Sequence, residues 1–106
     1  ATNWNVGSTW DEGSVPTATD EVVINTSPVT VPDGYAASAL SATINATMGL
    51  VVGGGASGTL AVGTGGLTNN SAATGLTVAA GASVTITGAD LTNTGAISNA
   101  GTITVQ

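Results

Sequence analysis

The side chains of this 106-residue sequence that could do chemistry are six carboxylates, with no basic partner for any of them. Lysine, arginine, histidine and cysteine are absent, so nucleophile systems built on those residues are unavailable. A pair of carboxylates could in principle cleave a glycosidic bond, but only Asp90 lies in the repetitive part of the sequence. We therefore expect the chain not to be an enzyme, with no catalytic residue and no cofactor.

Four of the carboxylates form two adjacent pairs, Asp11-Glu12 and Asp20-Glu21. Carboxylate oxygens are ligands that Ca²⁺ prefers, so the pairs suggest a calcium site. The chain contains neither a D-x-D-x-D-G loop nor a glycine-rich nonapeptide calcium repeat. The sequence predicts solvated acids and no metal site, and calcium binding is the alternative.

The charge balance restricts the partners of the chain. With a net charge of −6 and no cationic side chain, it lacks the contacts to phosphate on which nucleic-acid binding depends. No segment reaches the roughly 20 apolar residues of a membrane helix, so no membrane insertion is expected. The opening "ATNW" is typical of a mature N-terminus left after cleavage of a signal peptide, which predicts a secreted protein.

Two tryptophans near the N-terminus, Trp4 and Trp10, could stack on sugar rings or cover an open end of an apolar core. They flank a Gly-Ser turn, and we expect covering or subunit contact. Three N-x-S/T sequons, at Asn25, Asn45 and Asn69, are interpreted as chance occurrences.

Two zones divide the sequence within one structural domain: a cap segment at 1–35 and a repetitive body at 36–106. Short apolar pairs with period-two alternation, separated by Gly, Asn and Thr, indicate many short strands. In the body, three steps between apolar anchors add up to 26 residues from Leu50 to Leu76, 21 from Leu76 to Ile97 and 19 from Val84 to Ile103.

These lengths fit one coil of a three-sided parallel β-solenoid, or β-helix, whose coils stack at about 4.8 Å. We expect about four or five coils, with Thr, Ser and Asn outward and seven anchors inward: Leu50, Leu60, Leu76, Val84, Leu91, Ile97 and Ile103. The entry strands are predicted at residues 22–24 and 29–31, with a turn at Pro32-Asp33-Gly34. The alternative is an antiparallel β-sandwich, although two-residue hairpin turns such as Asn-Gly are scarce.

Two stretches carry a resemblance. "NWNVGSTWDEGSVPTATDEVVI" (Asn3–Ile24) resembles the segment that precedes the repeats of secreted bacterial β-helix proteins. "LTNTGAISNAGTITV" (Leu91–Val105) is similar to the repeat of haemagglutinin- and autotransporter-like surface proteins. Together they cover about a third of the chain. The resemblance implies a right-handed coil and a setting on the bacterial or phage exterior, as an adhesin, filament or fibre.

The C-terminal "GTITVQ" predicts a last coil with unpaired strand edges, which are templates for another chain. If the cap segment of one copy covers that coil in the next, head-to-tail contact yields a filament. We expect a structural subunit of an extracellular filament, whose partner is itself. The alternative is an adhesin or phage-fibre module that recognises surface glycans. The predicted interface residues are Trp4, Trp10, Val15, Ile103 and Val105.

The composition also predicts how stability responds to solution conditions. Because no side-chain ion pair can form, thermal unfolding followed by circular dichroism should change little with added NaCl, or with pH above about 5. A steep loss of stability between about pH 6 and 8 would contradict this and would indicate a perturbed carboxylate, which favours a metal or catalytic site.

Overall fold

The computed structural model describes residues 3–7, 10, 13–25, 28–45, 49–53, 57–71 and 74–106. Within these ranges the chain forms ten strands, and every pairing between them is parallel. The strands are β1 (Glu21–Ile24), β2 (Val29–Val31), β3 (Ala36–Ile44), β4 (Leu50–Val52), β5 (Thr59–Asn69), β6 (Thr74–Val78), β7 (Ser83–Ile86), β8 (Leu91–Asn93), β9 (Ala96–Asn99) and β10 (Thr102–Val105). The predicted β-solenoid is therefore confirmed, and the antiparallel sandwich is excluded for the described strands.

The strands stack into three faces. Face A consists of β2, β4, β6 and β9. Face B consists of residues 36–39 of β3, residues 59–62 of β5, and the strands β7 and β10. Face C consists of β1, residues 41–44 of β3, residues 66–69 of β5, and β8. Since the chain visits A, B and C in turn, it winds as a solenoid of about three turns.

The long strands β3 and β5 each turn the corner from face B to face C. The register between them shifts at this corner, where residues 63–65 of β5 oppose the single residue Leu40 of β3. Two of the three inserted residues are glycines, which lack the Cβ atoms that would crowd β3. Differences in coil length are thus absorbed at corners and loops, while the strands stay in register.

The predicted coil lengths match the observed register. Leu50 pairs with Leu76, and Leu76 pairs with Ile97 on face A. Val84 pairs with Ile103 on face B. The spacing of apolar anchors therefore identified true stacking partners, because an inward side chain must lie on another inward side chain in the next coil.

Inward side chains form six columns, two from each face. The deepest members are fully buried and aliphatic, and they are Ile44, Leu50, Leu60, Leu67, Leu76, Ile86, Val31, Val52, Val62, Val78 and Val84. All seven predicted inward anchors belong to or pack against this core. The expected four or five coils were too many, because residues 3–20 form mostly turns and irregular segments instead of regular strands.

The segment 1–35 is continuous with the body. Both β1 and β2 lie in it, as predicted, and they pair with β3 and β4. The predicted turn follows β2: Tyr35 N donates to Pro32 O at 3.2 Å, and Gly34 has φ of 75°, a conformation that favours glycine. Before β1, Asn3 forms an isolated parallel bridge with Thr30, and Asp20 O accepts from Leu40 N. Residues 3–20 therefore run along the outer edge of the first coil.

One column offers a matched test of this packing. Val62 and Val105 occupy the same column of face B, through Ile86, but Val62 is buried and Val105 is 49% exposed. Val62→Ala should lower the free energy of unfolding by about 2 kcal/mol, from lost methyl burial and the cavity left behind. Val105→Ala should cost less than about 1 kcal/mol, since half of its side chain is already in water. Urea denaturation at a concentration where the chain is monomeric measures both, and equal losses would contradict the assigned columns.

Candidate subunit interface

The C-terminal end of the solenoid is uncovered in the part of the chain that the structure describes. Strands β8, β9 and β10 each pair with a strand on one side only. Their inward residues Leu91, Ile97 and Ile103 are only half-buried, whereas the residues on which they stack, Leu67, Leu76 and Val84, are fully buried. Val105 completes this surface. Apolar side chains and unpaired backbone groups are thus presented together.

The N-terminal end is closed by the tryptophan pair. Trp4 is fully buried, and its backbone N–H donates to Thr30 O at 2.7 Å. Trp10 meets it edge to face, with ring centroids 5.0 Å apart and an interplanar angle of 73°. The Trp10 indole Nε1 donates to Trp4 O at 2.9 Å. Val15 is half-buried and packs against the same core.

The closure leaves the Trp4 Nε1 atom buried with no acceptor in the described residues. An unpaired buried donor costs about 1–3 kcal/mol. A buried indole removes roughly 150–250 Å² from water, which at about 25 cal/mol/Å² is worth about 4–6 kcal/mol. Burial therefore outweighs the unpaired donor, and Trp4 stabilises the first coil despite it.

The five predicted interface residues lie at opposite ends of one chain. Trp4, Trp10 and Val15 form the N-terminal closure, and Ile103 and Val105 lie in the last coil. They do not meet within a single copy, so only contact between copies would bring them together. Because Trp4 is buried in its own chain, it could only shape such a contact from beneath, and its ring face is not available to a sugar.

A buried asparagine at the last turn was not expected, because the pattern predicted asparagine outward. Asn69 is fully buried on face C, where the two preceding coils place Ile24 and Ile44. Its Nδ2 donates to Asn93 Oδ1 and to Ala96 O, each at 2.9 Å. Its Oδ1 accepts from Ser71 N at 3.2 Å. These bonds satisfy the amide, so its burial is tolerated.

The space for this amide comes from Gly75, where an added Cβ would overlap Asn69 Oδ1. The Asn69 network spans the third face of one coil and the first face of the next. It therefore links β5 to β8 and β9, the strands of the uncovered end. Only the alternation of "LTNN" within an apolar column could have indicated an inward asparagine, and the same letters also fit an outward one.

A second row of amides lies outside, one residue after each face-C strand. Asn45 Nδ2 donates to Asn25 Oδ1 at 2.7 Å, and Asn70 Nδ2 donates to Asn45 Oδ1 at 3.0 Å. Thr94 Oγ1 follows in the next coil, 3.5 Å from Asn70 Oδ1. Two predicted sequon positions, Asn25 and Asn45, are in this row and exposed, while the third, Asn69, is buried.

The acidic residues do not gather. Asp20 accepts from Thr17 N at 2.8 Å and from Thr17 Oγ1 at 3.2 Å in a local turn. Asp33 Oδ1 accepts from Ser57 N at 3.1 Å, which ties the turn after β2 to the next coil. The described residues contain no group of three or more acids, histidines or cysteines that could hold a metal. The predicted pair Asp11-Glu12 lies outside the described residues.

Two further findings bear on what the chain is. None of the described segments forms a helix of the length and hydrophobicity that crossing a bilayer requires. No protein-family model, no curated protein and no solved structure matches the chain.

Adjacent asparagines provide a matched test of the buried amide. Asn69→Asp should lower the free energy of unfolding by about 3 kcal/mol at neutral pH, because a buried carboxylate would face two acceptor oxygens, Asn93 Oδ1 and Ala96 O. Asn70→Asp adds the same charge at an exposed site and should cost less than about 1 kcal/mol.

The sign of the pH dependence is an independent check. Burial raises the pKa of the introduced carboxyl above its value in the unfolded chain. The variant's folded state then holds the proton more tightly, so its stability is greatest at acidic pH and falls as the pH rises. Chemical denaturation at pH 4 and pH 7 measures this difference. A pH-independent loss for Asn69→Asp would show that the side chain leaves the core.

Proposed function

We propose that the chain is a non-enzymatic structural subunit of an extracellular filament or fibre, in which copies stack head-to-tail. The observation that carries the proposal is the contrast between the two ends of the solenoid. The first coil is closed over Trp4, whereas the last coil leaves Val105 49% exposed and three strand edges unpaired. An end of this kind is stabilised when further strands pair with it and cover its apolar columns.

The contact is heterologous, because an uncovered C-terminal coil meets the closed N-terminal end of the next copy. A heterologous contact that does not return to its starting point generates an open chain of subunits. In this arrangement Ile103 and Val105 lie under the neighbour's N-terminal segment. Trp10 and Val15 form part of the opposing surface, and Trp4 supports it from inside.

The side faces suit a surface-exposed fibre. Outward positions carry threonine, serine and alanine on neighbouring strands, such as Thr59, Ala61 and Thr85 on face B. No cationic side chain is available for a salt bridge, and the net charge of −6 favours solubility of the lateral surface. Growth along the axis with little lateral association is the consequence. The resemblance to secreted bacterial β-helix proteins supports an extracellular setting and a right-handed coil.

The test uses a charge placed at the end of the solenoid and the same charge placed on its side. Purified wild-type chain should form rods in negative-stain electron micrographs as its concentration rises. Val105→Asp should abolish the rods, because it places a carboxylate in an apolar contact that contains no cation. Ala61→Asp adds the same charge at an exposed, outward position of the second coil and should leave rods intact.

Sedimentation velocity provides the numbers behind the images. Wild type and Ala61→Asp should shift to larger species with concentration, while Val105→Asp should remain monomeric with unchanged circular dichroism. A wild-type chain that stays monomeric at every concentration would overturn the filament proposal. Binding of such a monomer to surface glycans would then favour the adhesin alternative.

A further inference from the structure

The two ends of the solenoid differ in how many faces they complete. At the C-terminal end, face A ends with β9 and face B ends with β10, whereas face C ends one turn earlier with β8. At the N-terminal end the first turn is occupied on all three sides. Asn3 bridges to Thr30 on face A, the chain passes residues 13–20, and β1 lies on face C. The chain therefore spans whole turns plus two faces.

This incomplete turn restricts how a second copy can be placed. A copy added without rotation, with its face A over face A, leaves the strand position above β8 empty. Lowering that copy by one turn would make its first segment collide with β9. A copy rotated by one face fills every position. Its first segment then lies over β8, residues 13–20 lie over β9, and β1 lies over β10.

We infer that successive copies are rotated by one face about the solenoid axis, so that β1 of one copy pairs in parallel with β10 of the copy before it. This inference rests on the proposed head-to-tail filament and adds its register. It places an edge strand of one copy on an edge strand of the next, which is the usual way in which exposed strands recruit a partner.

The chemistry of the columns independently favours the rotated arrangement. With Val23 opposite Thr104, Val22 lies over Ile103, and Ile24 lies over Val105. Every inward residue of that junction is aliphatic, and the exposed half of Val105 becomes covered. Columns of the same kind run through the rest of face B, where Leu60 and Val84 lie beneath Ile103.

Without rotation, β1 would lie over β8 instead. Ile24 would then oppose Asn93, whose amide is already bonded to Asn69 and to Gly95 within its own chain. An aliphatic side chain over this polar group gains less from burial than one over Val105.

Cysteine pairs distinguish the two arrangements, and the chain contains no cysteine of its own. Opposed residues on adjacent strands have Cα atoms about 4.8 Å apart, which lies within the range of roughly 4.4–6.8 Å that a disulfide spans. The first double variant carries Val23→Cys with Thr104→Cys, the pair opposed in the rotated arrangement. The second carries Val23→Cys with Thr92→Cys, the pair opposed without rotation.

Both variants are assembled under reducing conditions, checked for rods by electron microscopy, oxidised, and separated on non-reducing gels. We expect rods from both, and a ladder of covalent multimers from the Val23/Thr104 pair alone. Rods in which Val23/Thr92 cross-links instead, or in which neither pair does, would overturn the rotated register while leaving the filament in place. Wild-type chain that forms no rods at all would overturn the filament itself, and the register with it.

Discussion

The requirement that each inward side chain lies on an inward side chain of the neighbouring coil governs this protein. Parallel strands about 4.8 Å apart place equivalent residues of successive coils in direct contact. A shift of one residue would turn a whole strand inside out. The register therefore stays fixed on three faces, although coils differ in length from 19 residues, between Val84 and Ile103, to 26, between Leu50 and Leu76. Corners absorb the difference, as at residues 63–65.

Stacking also explains how a chain without cationic side chains can be stable. The interior is filled by thin aliphatic columns, and most polar groups are met by amide and hydroxyl partners instead of charges. Asn69 shows how far this extends, because its buried amide is satisfied by Asn93, Ala96 and Ser71 without any ion. Outside, Asn25, Asn45 and Asn70 repeat the same chemistry along the axis. Hydrogen bonds that run along the stack reinforce the backbone ladders.

The same repetition makes the two ends of the solenoid the sites where function is most readily placed. Interior coils satisfy one another, so their side faces carry small, uncharged residues with no cluster of chemical groups in the described part of the chain. The ends have only one neighbouring coil each. One end is closed by two indoles, and the other presents Ile103, Val105 and unpaired strand edges. The proposed filament and its rotated register both follow from this asymmetry.

The sequence by itself determined the fold class and much of the register. Anchor spacing identified the partners Leu50–Leu76, Leu76–Ile97 and Val84–Ile103, because alternation and coil length are local properties that the chain carries in its residue order. It did not determine that Asn69 points inward, since an asparagine in an alternating strand is placed by the column it joins and by the gap at Gly75. Nor did it determine that Trp4 is buried in its own chain, or that Leu91, Ile97 and Ile103 are less buried than their partners. Burial depends on which coil lies above and below, and only the tertiary structure decides that.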